Sequence, residues 1–152
     1  MEELLMLRHY IEQKDYQNAL DLVAELEEMS RDDKINKIYS YAVVLLLHLI
    51  KQAAEKRLTR SWDLSIRNAV RQIARVNKRR KSGGYYLSEL ILKEDIADAY
   101  LPALEQASLE SFEGMYESDE LDKMVDRYLL EKKALDLILA EQYQQSQRKR
   151  NK

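Results

Sequence analysis

At 152 residues and 18.0 kDa, with 45% hydrophobic and 34% charged residues and a net charge of −2, the chain is too apolar to be disordered and fits one core of amphipathic elements. Three Gly and one Pro leave too little turn chemistry for a β-sandwich or barrel. The absence of Cys excludes disulfide scaffolds, thiol nucleophiles, iron–sulfur clusters and thiolate zinc sites together. An acidic start, Met1-Glu2-Glu3, is unlike a basic signal peptide. The apolar run over residues 41–47 is also far short of the roughly 20 residues of a membrane span, so the expectation is a cytoplasmic, all-α protein with no membrane segment.

In chain order, Leu4, Leu7 and Ile11 form a first short helix that stops near Lys14, and Asp15 is placed to cap a second from Tyr16. That second helix carries Ala19, Leu20, Val23, Leu26 and Met29 at three-and-four spacing, with Asp21, Glu25 and Glu28 on another face. It resembles half of a tetratricopeptide pair, but it occurs once, and a solenoid needs stacked copies. Ser30, with Asp33 three residues on, reads as the cap of a long third helix. This helix bears Ile35, Ile38, Ala42, Leu45, Leu49 and Ala53 on one stripe and further apolar residues nearly all round, which makes it the central one.

Ser61 is the expected cap of the fourth helix, whose buried side is Trp62, Ile66, Ala69, Val70, Ile73 and Val76 and whose stop is Gly83-Gly84. Ser88 caps a fifth helix through Leu90, Ile91, Ile96, Ala99 and Tyr100, with a kink or break near Leu101 imposed by Pro102. The pattern lapses at Gly114. Ser118 opens a last helix with Leu121, Met124, Val125, Tyr128, Leu135, Ile138 and Leu139. The reading is a single-domain bundle of about six helices over residues 1–141, its long third helix packed on a basic fourth, followed by a disordered basic tail over 142–152.

Charge is segregated. Residues 56–81 hold ten cations against one acid, Asp63. Arg67, Arg71 and Arg75 recur every four residues on the solvent side of the fourth helix, extended by Lys78, Arg79 and Arg80. Such a ridge suits nucleic-acid phosphates, with Tyr85 and Tyr86 as stacking faces, or an acidic protein partner. It reads first as a solvated face, or as one paired with the acidic surfaces of the second helix and residues 89–120.

Three glycines supply no phosphate loop, dinucleotide fingerprint or nucleophile elbow, and no cofactor is implied. Neither His9 nor His48 follows an Arg at the spacing of helical toxin nucleases. Asp21, Glu25 and Glu28 share a helix face that a His from elsewhere would complete as a metal site, yet such spacing is the ordinary pattern of an exposed acidic face. His48 points toward a helix interface and, alone, reads as a satisfied structural residue before a general base. Trp62 reads as a core anchor.

His48-Leu49-Ile50-Lys51, then Ser61-Trp62 with Ile66-Arg67 and Arg71, then Ala99-Tyr100 with Ala103, resemble domain-of-unknown-function family twenty-nine, in a form like those seen in cyanobacteria. The resemblance runs over residues 21–107. It departs from the family where a Pro-Ser-Leu turn is usual, since this chain reads Lys81-Ser82-Gly83-Gly84-Tyr85-Tyr86-Leu87. It implies an all-helical bacterial protein and imports no activity. The matching positions to examine are His48, Lys51, Arg60, Trp62 and Arg67, as a site or as a structural network joining the third and fourth helices.

Three functions stay open. The first is a non-enzymatic interaction or regulatory module with a protein partner or as a homo-oligomer. The second is an antitoxin-like nucleic-acid-binding regulator using the ridge. The third is a metal-dependent hydrolase around His48.

Overall fold

Helix formation begins at an acidic turn suited to the helix N-terminus, Glu2 and Glu3, and α1 runs over Glu2–Glu12. It ends on left-handed Lys14 (φ 58°), where Asp15 N–H donates to the Tyr10 carbonyl (2.8 Å) and Lys14 N–H to that of Ile11 (3.0 Å). These are the paired bonds of a Schellman stop. Asp15 then accepts from Asn18 N–H (3.4 Å) and caps α2, Tyr16–Glu55. The computed structural model describes residues 2–79 and 83–150, the last two by backbone alone. It divides into two compact units, Met1–Lys34 and Ile35–Lys152.

In the first unit α1 buries nothing, and Ala19 and Leu22 are the buried apolar residues. The expected start of a separate helix at Ser30 is corrected: α2 is continuous through it. Ser30 is flanked by Glu27, Glu28, Met29 and Arg31, with neither Gly nor Pro nearby, so a possible cap meets no signal to stop.

The second unit is a helical bundle. Ile38, Ala42, Leu45, Leu46, Leu49 and Ile50 of α2 are almost wholly buried, as the all-round apolar pattern requires. α3, Arg60–Asn77, is capped by Thr59, whose Oγ1 accepts from Trp62 N–H (3.1 Å), and not by Ser61. It ends at Asn77 well before the glycines. Gly83 and Gly84, both left-handed, instead shape the return of the loop, where Tyr86 N–H reaches the Asn77 carbonyl (2.8 Å).

Ser88 caps α4, Glu89–Glu110, as expected. No break occurs at Pro102. The ring lies on the exposed side, while Tyr100, Ala103, Leu104 and Ala107 continue the buried stripe and hold the helix together across the missing N–H.

A 3-10 turn, Ser111–Gly114, follows with Phe112, Glu113 and Gly114 all left-handed. For Phe112 and Glu113 this costs about 1–2 kcal/mol each. Phe112 offsets part of it by packing on the core and edge-on to Tyr116 at 5.3 Å.

The last expected helix is two. α5, Ser118–Asp122, opens on a capping box between Glu117 and Glu120, and α6, Arg127–Arg150, restarts where Asp126 accepts from Leu129 N–H (3.2 Å). α6 lies against both α3 and α4. Its buried stripe is Leu130, Ala134, Ile138 and Gln142, whereas Tyr128 is 82% exposed. The helix therefore continues through residues that read as a tail lacking an apolar face, because an amide, and not an apolar group, is what Asn77 takes from position 142. Among the described residues no strand forms beyond one isolated bridge, Lys78 to Tyr85, and no helix is long and apolar enough to cross a membrane.

Candidate functional site

The two motif residues of α2, His48 and Lys51, are three apart and so share a face, His48 half-buried and Lys51 buried. Lys51 is only 7% exposed. Its Nζ donates to Glu110 Oε1 at the end of α4 (3.0 Å) and sits 4.8 Å from the centre of the Trp62 ring at the start of α3. The other oxygen of Glu110 accepts from Gln106 Nε2 (2.9 Å). Arg57 lies on the same indole at 4.9 Å, steadied by Glu55 (3.1 Å). One indole thus takes two cations, and α2, α3 and α4 are clasped at a single point.

Burial and the Lys51 charge push the His48 imidazole below its usual pKa, against the pull of Glu110, which makes it a neutral ring near pH 7. Its Nδ1 is buried with no hydrogen-bond partner among the described residues. Burial alone would raise the Glu110 carboxyl, but the hydrogen bonds from Gln106 and Lys51 and the Lys51 charge hold it below the ordinary range. What the arrangement does is join three helices.

Of the five motif positions, His48, Lys51 and Trp62 come together. No hydrogen bond, ion pair or ring contact among the described residues ties Arg60 or Arg67 to them, and Arg67 pairs with Asp63 one turn before it. Glu110, Gln106 and Arg57 complete the cluster and were not found from sequence. Glu110 stands 59 residues from Lys51, and nothing local marks it as the partner.

Arg67, Arg71 and Arg75 are exposed on α3, opposite buried Ile66, Ala69, Val70 and Ile73. Arg71 Nε donates to the Arg67 carbonyl (3.3 Å). Lys78 and Arg79 are half-buried, the Arg79 guanidinium lying 4.8 Å over Tyr86 with Nε donating to the Tyr85 carbonyl (3.4 Å). Arg80 lies outside the described residues. Among the described residues no carboxylate pairs with Arg71, Arg75, Lys78 or Arg79.

Among the described residues no three His, Asp or Glu side chains come together to hold a metal ion, so Asp21, Glu25 and Glu28 gain no completing ligand and His48 has no carboxylate set around it. An open groove of about 710 Å³ between α4 and α6 is bordered by both charge signs, Glu89, Lys93, Glu131 and Lys132 among them. Below it Tyr100 donates to Asp122 (2.6 Å) under the Arg127 guanidinium, 4.5 Å from the ring, and burial with that hydrogen bond raises the phenol pKa.

Asp95 on α4 has one oxygen buried with no hydrogen-bond partner among the described residues. Burial first and Asp98 second raise its pKa from 3.8 to about 6. A carboxyl that binds its proton more tightly folded than unfolded costs nothing below the unfolded pKa and weighs fully against folding above the folded one. Asp95→Asn is therefore expected to raise Tm at pH 7 and leave it unchanged near pH 3.5, read by thermal melts at both. An equal effect at the two values would show that ionisation at this site is not the cause.

Residues 5–121 match the family model described as Domain of unknown function DUF29. No curated protein matches the chain, and no solved structure does.

Proposed function

Since the chain belongs to the DUF29 family, whose description assigns no activity, we propose from its surfaces that it is a non-enzymatic interaction module whose N-terminal hairpin takes a protein partner. The observation that carries this reading is the apolar residues left in water there. Leu4, Leu5, Met6, Ile11, Tyr16, Leu20 and Met29 are each 45% exposed or more, in a unit where α1 buries nothing. Full burial of one such side chain is worth about 1.5–3 kcal/mol, and seven of them left in water within 34 residues are a reserve of apolar surface for a partner to cover. Residues 1–34 also hold ten acids against four cations. Two copies meeting by this face would set like charge on like charge, so the fitting partner offers apolar and basic groups together.

Amine-reactive crosslinking of the full chain in its own cells, read by mass spectrometry, is expected to join Lys14 and Lys34 to a second protein. Leu5→Asp with Leu20→Asp should abolish those links while links between Lys93 and Lys132 persist, both leucines being exposed enough to change without unfolding the chain. Absence of any intermolecular link from the hairpin, links indifferent to the double variant, or links only between copies of this chain would each overturn the reading.

A further inference from the structure

The two basic segments of the sequence, residues 56–81 and the C-terminal end, lie more than sixty positions apart, and α6 brings them to neighbouring helices. Asn77 donates to Gln142 (2.8 Å), and Gln145 donates to the Arg71 carbonyl (3.3 Å). As α3 is followed backward from 77 to 71, α6 is followed forward from 142 to 145, so the helices are antiparallel. Beyond Gln145, α6 continues through Arg148 in the direction of the α3 turn that carries Arg67.

Three features of this surface select a ligand. First, Arg67, Arg71 and Arg75 stand one turn apart, about 6 Å along the axis at each step, on a face whose opposite side is buried. Second, Arg71 and Arg75 are exposed with no carboxylate partner among the described residues, and Arg148, 63% exposed at its side chain, has only a distant one in Glu141 (3.9 Å). Third, the file continues into aromatic rings: the Arg79 guanidinium lies 4.8 Å over the Tyr86 ring, and Tyr85 is 38% exposed. Apart from half-buried Lys78 the file is Arg, whose planar fork fits phosphate oxygens in pairs, where lysine is only a point charge. An acidic peptide would use the charge and leave the tyrosines idle, whereas a nucleic-acid strand uses both, phosphates on the arginines and bases on the rings.

We infer that the α3–α6 face binds the phosphate backbone of a single-stranded nucleic acid, along Arg67, Arg71, Arg75 and Arg79 with Arg148 beside them and Tyr85 as a base platform. This goes beyond the partner surface of the hairpin and stands independently of it, because no residue is shared.

The test is fluorescence anisotropy of the full chain with labelled single strands of about 16 nucleotides, RNA and DNA in parallel, and with a poly-glutamate peptide of equal charge. Binding of a strand is expected, with log affinity falling against log salt at a slope near −3, about −0.7 for each of four phosphate contacts. Arg71→Gln with Arg75→Gln should weaken binding about tenfold or more and flatten the slope by about 1.4, while the thermal melt stays that of the parent chain. Tyr85→Ala should weaken binding and leave the slope alone, a split that a purely electrostatic face would not show. No binding of either strand at about 20 mM salt, equal binding of poly-glutamate, or a double variant that binds as the parent does would each overturn the assignment.

Discussion

Replacing Glu110 with Ala is expected to cost about 3 kcal/mol of folding stability, out of proportion to a residue at an exposed helix end. The reason lies in its partner. Lys51 is buried to 7% exposure, and Glu110 supplies the compensating charge at 3.0 Å, with the Trp62 ring as a weaker second contact at 4.8 Å. Removing one member of such a pair leaves a charge in the core, at about 3–5 kcal/mol. The low end applies because Glu110 keeps 36% of its side chain in water and solvent can reach part of the gap. Replacing both, Lys51→Met with Glu110→Ala, removes the charge with its partner and should return stability to within about 1 kcal/mol of the parent. Chemical denaturation of the parent, Glu110→Ala, Lys51→Met and the double variant gives the coupling directly. Single losses that simply add in the double variant would show that the pair does not act as a unit. The pH dependence has a definite sign. A carboxyl held below its ordinary pKa contributes fully at neutral pH and loses that contribution as the pH falls through the folded value, so the gap between parent and Glu110→Ala should close on acidification.

That clasp marks where reading the sequence stops working. The stripes of α3 and α4 and the Ser88 cap are set by residues three and four apart, and such signals are visible in the chain itself. His48, Lys51 and Trp62 could be singled out by motif, but Glu110 could not, since its role depends on where the end of α4 falls against α2. The cap expected at Ser30 and the break expected at Pro102 misled for the converse reason. Each carries a real local preference, for a cap and for a break, and each is overruled by neighbours that favour an unbroken helix. The split between α5 and α6 turns on Asp126, a cap hidden within an apolar pattern that reads smoothly through it. Arg67, Arg71 and Arg75 were legible as one face from their spacing alone. Their neighbour on α6 was not, because Gln142 and Gln145 look like solvent-facing residues until the packing partner is known.

Asn77 is expected to be as costly to change as Glu110, at about 3–5 kcal/mol for Asn77→Ala. It is fully buried, and its side chain is used completely. Oδ1 accepts from Leu87 N–H (2.7 Å), while Nδ2 donates both to the Leu87 carbonyl (3.1 Å) and to Gln142 Oε1 (2.8 Å). One amide therefore closes the loop between α3 and α4 as a strand partner would, and locks α6 to the end of α3. Truncation strands a backbone donor, a backbone acceptor and a side-chain oxygen in the interior, each at about 1–3 kcal/mol, with Gln142 free to recover part by turning. Asn77→Asp keeps the shape and exchanges the donor for an oxygen facing two other oxygens, so it should be worse than Ala at pH 7. Protonation restores one donor, so the Asp variant alone should gain stability as the pH is lowered toward 4. Denaturation midpoints at the two pH values test the ordering, and exchange of the Leu87 amide tests the cause. A loss below about 1 kcal/mol with that amide still protected would mean the loop is held by its packing, leaving Leu87, itself 2% exposed, as the residue to change next.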